Sequence, residues 1–182
     1  MSAAVGVKCW ICNAPAMSGE HLVKASMLRE MFGKVTQQNP LFHSSTKRRN
    51  RRLQSVDAKD VKLRVLCEHC NSALTQPFDR AWDDLWSYLR RNEGSLKTGC
   101  LVRRNRIYPF RSATRMLDLH LYAVKLFGCV AANFSIPVDL AGMASSIKLR
   151  HAYPNIYLGI GRRNGLLNID LAGPSDVNSV ND

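Results

Sequence analysis

The chain has 182 residues, 46% hydrophobic and 22% charged, enough for one ordinary domain or for a small metal module joined to a helical one. Its 26 Lys and Arg against 14 Asp and Glu leave a net charge of +12, which favours a polyanionic partner, with nucleic acid ahead of an anionic membrane surface. The longest apolar region, 117–136, is broken by Asp118, His120, Lys125 and Asn133, and the first residues lack the basic-then-apolar layout of a secretion signal, so an intracellular, cytoplasmic protein with no membrane span is expected.

In chain order, residues 8–16 have the composition of a tight metal knuckle around Cys9 and Cys12. Met27, Leu28, Met31 and Phe32 follow helical spacing over 24–32, with Gly33 as a stop. Residues 34–62 are polar without a sustained period and read as a loop or irregular excursion. A short strand over 63–66 leads into a second clip, Cys67-Glu68-His69-Cys70. Pro77 suits a first helical turn, and Phe78, Trp82, Leu85, Trp86 and Leu89 form one apolar stripe that ends before Gly94. Residues 95–111 are basic and irregular, with a short strand candidate at 100–102. A largely buried helix is expected from about 112 to 132, and a third from about 137 to 149. The runs 156–160 and 166–169 flank Asn164-Gly165, a hairpin signal, and the tail from Pro174 is small and polar.

In a reducing compartment, paired Cys-x-x-Cys motifs are more often metal clips than disulfides. Each such turn supplies two thiolates from one knuckle, so Cys9, Cys12, Cys67 and Cys70 complete a tetrahedral zinc shell. Cys129, in an apolar helix, reads as an ordinary buried thiol; Cys100 lacks a partner of this kind, and His69 reads as solvent-facing.

The order Cys9-x-x-Cys12, Glu20-His21, Leu66-Cys67-x-x-Cys70-Asn71 resembles the zinc-stapled branch of the HNH (His-Me finger) endonucleases, over about residues 8–90. The resemblance implies a ββα-metal, treble-clef-like module in which zinc is a structural staple. A second divalent ion, Mg2+ or Mn2+, is then held by Glu20 and Asn71, while His21 is the general base that activates water. Phosphodiester hydrolysis needs these parts on chemical grounds too: a base near neutral pKa and a cation to offset developing charge. Lys62 stands where family members often carry an Asn that orients the base, so another group must steer His21. Asp79 is a candidate supporting carboxylate or a first-turn residue favoured by the helix dipole.

Lys47-Arg48-Arg49-Asn50-Arg51-Arg52 puts five positive charges in six residues, and a second cluster comprises Arg90, Arg91, Lys97, Arg103, Arg104, Arg106, Arg111 and Arg115. Lys47, Arg48, Arg49, Arg51, Arg52, Arg103, Arg104 and Arg106 are the candidate nucleic-acid contacts, strong but sequence-blind. Tyr108 and Phe110 lie in the second cluster, where they can pack in a core or stack on bases. The expected fold is α+β: a zinc-bound ββα-metal module over 1–95, a helical segment with a β-hairpin over 96–173 that binds substrate or mediates dimerisation, and a polar tail over 174–182. The expected activity is metal-dependent cleavage of DNA, in a bacterial or phage setting by family likeness. The rivals are a non-catalytic zinc module that binds DNA or RNA, and a protein-binding adaptor that uses the apolar helix.

Overall fold

Residues 6–43, 51–53, 62–97 and 99–159 are described in a computed structural model, and the chain divides into two units, Met1–Glu20 with Leu63–Arg162 and His21–Lys62 with Arg163–Asp182. The described residues mix helices with two two-stranded sheets. None of their helices is long and apolar enough to cross a membrane.

In the first unit the N-terminal knuckle is closed by short backbone bonds, Cys9 N to Ala14 O at 2.7 Å and Asn13 N to Cys9 O at 2.8 Å, and by an antiparallel bridge between Lys8 and Pro15. Asn13 takes the left-handed conformation (φ 64°) that such a turn requires, a region Asn tolerates better than most side chains. Strand β1 (Ser18–His21) pairs with β4 (Lys62–Leu66), and Trp10 N donates to Val65 O at 3.1 Å, which ties the knuckle to β4. Leu63 and Val65 of β4 are buried while Arg64 between them is exposed, the period of two expected of a half-covered strand.

After β4 comes a five-residue π-helical turn, Cys70–Leu74, a wide geometry that is rare and often found at functional sites. Helix α2 (Gln76–Arg91) follows, with Pro77 in its first turn, Asp79 at its positive end, and Arg90 and Arg91 at its negative end. Phe78, Ala81 and Leu85 are its buried stripe, with Trp82 and Leu89 half-buried beside it. A single-turn helix, α3 (Arg104–Ile107), stands in the basic segment. No strand forms at 100–102; those residues are irregular, and Leu101 is exposed, so that stretch has no apolar face to bury.

The long helix α4 (Ser112–Phe134) packs on α2 and on α5 (Leu140–Leu149). Helix α5 begins later than expected because the Asp139 carboxylate accepts a hydrogen bond from Gly142 N at 2.8 Å and so sets the N-cap there. Between α2, α3 and α4 lies a core of Ala81, Leu85, Tyr108 and Leu119; the Tyr108 hydroxyl donates to Ala81 O at 2.7 Å, and burial pushes its pKa up to about 12. The Trp82 and Tyr122 rings stack with centroids 5.0 Å apart. Residues 156–159 carry no strand, and 160–182, with the rest of the expected hairpin and tail, lie outside the described residues.

His120 on α4 receives the Tyr153 N–H at its Nε2, 2.9 Å away, so that nitrogen carries no proton, and burial holds the ring below its ordinary pKa of 6.5. The unfolded ring binds protons more readily than the folded one, so stability falls as pH drops below about 6.5. His120→Gln, which can still accept from Tyr153 but does not titrate, is expected to flatten that part of a Tm-against-pH curve; a slope equal to the parent's contradicts it.

The second unit contains helix α1 (Ala25–Phe32) and two short strands, β2 (Leu41–His43) and β3 (Arg51–Leu53). Helix α1 ends as expected at Gly33, whose positive φ of 72° a glycine adopts without strain. The excursion expected to be irregular instead contains the antiparallel β2–β3 pair, in the register Leu41 with Leu53 and Phe42 with Arg52. Three-residue strands are too short to show a period in sequence. A turn at Thr36–Asn39, held by Thr36 N to Asn39 O at 2.9 Å, precedes them.

Candidate functional site

The four sulfurs of Cys9, Cys12, Cys67 and Cys70 lie within 4.8 Å of one another, and all four thiols are free of disulfides. Zinc–sulfur bonds of about 2.3 Å give a tetrathiolate with edges of roughly 3.8 Å; Cys12 Sγ and Cys67 Sγ are 3.5 Å apart. The cluster is therefore of a size to hold one metal ion, and zinc fits both its dimensions and its ligand type. Burial, followed by the neighbouring Cys12 and Cys67, pushes the Cys70 thiol far above its usual range. Four thiolates are compatible at this spacing only with a cation among them. Cys67 sits where β4 ends and Cys70 where the π-helical turn begins, with Cys70 N directed at Cys67 Sγ at 3.4 Å. His69 is exposed and outside the cluster, as is Cys100.

Trp10, inside the first clip, lies against α4. Its Nε1 donates to Cys129 Sγ at 3.4 Å, and a Cβ placed on Gly128 would meet the indole at 2.4 Å. Cys129 is fully buried, with its thiol pushed up to about 12, which makes it a packing residue. Alanine is a better helix former than glycine by up to about 1 kcal/mol. The overlap with Trp10, anchored through its backbone N on Val65 O and through its indole on Cys129, outweighs that gain, and Gly128→Ala is expected to lose about 1–3 kcal/mol, read as a Tm lower by several degrees. A rise in Tm contradicts this packing.

Asn71 follows Cys70 on the π-helical turn. Its Nδ2 donates to Ser18 Oγ at 2.8 Å and faces Gly19 O at 3.5 Å, so the amide is docked on β1, the strand that ends in Glu20 and His21. Because a carbonyl can only accept, this contact orients the amide, and Asn71 Oδ1 is left buried without a hydrogen-bond partner among the described residues. An amide oxygen buried in that state is what a hard cation or a bound water would satisfy. His21, half-buried, is the last residue of β1 and has interactions of its own.

Glu20 is buried, and its Oε1 lies 3.0 Å from the Nζ of Lys125 on α4, a side chain with no exposure at all. The same ammonium contacts Asp79 at 2.9 and 3.2 Å and Thr75 Oγ1 at 3.5 Å, with the Tyr122 ring centroid 5.8 Å away. Burial alone would depress the lysine pKa, but Glu20 and then Asp79 outweigh it, so the group stays charged. Asp79 thus belongs to a Glu20–Lys125–Asp79 cluster that joins β1, α2 and α4. Lys125 was not among the residues singled out from sequence. The available signal was a lone ammonium in the apolar run Leu121–Cys129, which has to find acids if it is buried.

Of the basic residues, Arg103, Arg104 and Arg106 are exposed at and just before α3. Arg51 and Arg52 fall in β3, with Arg52 exposed and donating to Gln37 O. Lys47, Arg48 and Arg49 lie outside the described residues. No family model matches the chain, and no curated protein or solved structure was found to be similar to it.

Proposed function

We propose that the protein is a metal-dependent endonuclease that hydrolyses DNA phosphodiester bonds, with a zinc tetrathiolate as its structural staple. The observation that carries this reading is Asn71: its amide is docked through Nδ2 on the strand of Glu20 and His21, and its oxygen is buried with no hydrogen-bond partner among the described residues. Asn71 Oδ1 and the carboxylate of Glu20 are the groups that would hold Mg2+ or Mn2+, which supplies positive charge to the phosphate oxygens. One ion pair does not exhaust the lone pairs of a carboxylate, so the contact of Glu20 with Lys125 leaves it able to ligate. His21 accepts the proton of the attacking water as its oxygen bonds to phosphorus; the phosphorus–oxygen bond to the leaving group breaks, and that oxygen takes a proton from solvent. Exposed Arg103, Arg104 and Arg106 hold the strand's phosphates.

The Lys125–Glu20 contact favours a second reading, a non-catalytic zinc module that binds nucleic acid, because the ammonium already neutralises the carboxylate. Incubation with supercoiled plasmid and Mg2+ or Mn2+ separates the two. The nuclease reading predicts nicking that His21→Ala abolishes while zinc content and fold persist. Equal cleavage by both proteins, or none by either, supports the binding module.

A further inference from the structure

The first unit carries an open groove of about 690 Å3 between one face of α2 and the segment that joins α3 to α4. Its α2 wall presents Arg80 and Arg91, both exposed, and its other lip carries Phe110 and Arg111. Phe110 is 86% exposed, an unusual state for a phenylalanine next to a well-packed core. Its neighbour Tyr108, 2% exposed and bonded to Ala81 O, fixes the base of the lip. Arg115 reinforces it, lying 5.5 Å over the Tyr108 ring while bonding Pro77 O and Asp84. Arg111 adopts a left-handed backbone (φ 50°, ψ 41°), an uncommon conformation for a residue with a Cβ, at the turn from the lip into α4. The groove thus has one aromatic face outward and cationic groups on both sides. Asp84 is committed to Arg115, and Asp83 is the other acid in the lining.

We propose that this groove binds single-stranded nucleic acid, with a nucleobase stacked on Phe110 and the flanking phosphates held by Arg80, Arg91 and Arg111. A duplex keeps its base faces stacked on one another, whereas an unpaired strand can offer one to an exposed ring. Arginines on both walls suit a backbone that passes through the groove, and Arg103, Arg104 and Arg106 extend the positive surface from α3. The inference rests on the nucleic-acid reading above and narrows it to strands with unpaired bases.

The test uses the full-length, zinc-loaded protein in a His21→Ala background, which removes cleavage, and fluorescence anisotropy with labelled oligonucleotides of about 20 nucleotides: oligo-thymidine, oligo-uridine and a mixed-sequence DNA duplex. Phe110→Ala is expected to weaken single-strand binding by roughly five- to hundredfold, the size of one base–aromatic stack, and to change duplex binding by less than about twofold. Phe110→Trp restores single-strand affinity. The paired change Arg80→Ala and Arg111→Ala lowers the slope of log affinity against log salt. A Phe110-dependent loss on DNA, on RNA or on both supports the groove and names the sugar it accepts. Unchanged affinity of Phe110→Ala for both polymers, with Tm equal to the parent's, overturns it. Absence of cleavage by the protein with His21 intact, alongside Phe110-dependent binding, removes hydrolysis and leaves the groove; cleavage with no Phe110 dependence does the reverse.

Discussion

Removing zinc from the cysteine cluster, by chelation or by Cys70→Ser, is expected to unfold the N-terminal knuckle and much of the first unit. The cluster joins two stretches of chain far apart in sequence; beside the metal, the Trp10 N bond to Val65 O ties the first clip to β4, and Trp10 packs on Gly128 and Cys129 of α4. Structural zinc in small modules contributes about 10–16 kcal/mol of apparent binding energy. Whole domains are stable by only about 5–15 kcal/mol. The metal term is therefore comparable to the whole stability of a domain. The parent should contain one zinc per chain, and its tryptophan emission should shift to the red as chelator strips the ion, with re-addition of zinc reversing the change. Unchanged fluorescence and thermal unfolding after complete metal removal would contradict a structural role for the cluster.

The second large effect is expected at Lys125. Lys125→Met removes a fully buried ammonium and leaves the carboxylates of Glu20 and Asp79 facing one another without a counter-charge. Breaking a buried pair from one side costs about 3–5 kcal/mol, and for a chain of this size that is a fall in Tm on the order of 10 °C. Replacing the whole cluster by neutral groups of similar shape is far less costly. Lys125→Met combined with Glu20→Gln and Asp79→Asn should therefore recover most of the loss. Differential scanning calorimetry of the single and triple variants checks this. A single variant as stable as the parent, or a triple variant no better than the single, would show that the three groups do not act as one unit.

What could be read from the chain itself was the chemistry that is local in sequence. Two Cys-x-x-Cys clips announce their ligands by spacing, and the four sulfurs do come together. Helix α2 was legible because Pro77, an apolar stripe and terminal charges agree over four turns, and α4 because its apolar run is too long for a strand. The Glu20–Lys125–Asp79 cluster was not legible, because its existence depends on α2 packing against α4, and no periodicity marks which distant acid a buried lysine will meet. Tyr108 and Phe110 make the same point: both sit in one basic segment, yet one is buried against Ala81 and the other stands in solvent. Only the position of α3 over the α2–α4 core decides between them. The strands β2 and β3 pair through a register that three-residue segments cannot encode alone.

The most direct test of the proposed catalytic centre is Mn2+ titration of the zinc-loaded protein, followed by electron paramagnetic resonance of free and bound ion. One bound Mn2+ per chain is expected in the parent, with affinity falling about tenfold or more in Asn71→Leu while zinc content stays the same. A parent that binds no Mn2+, or an Asn71→Leu variant that binds it equally well, would contradict a second cation held at the Asn71 amide oxygen.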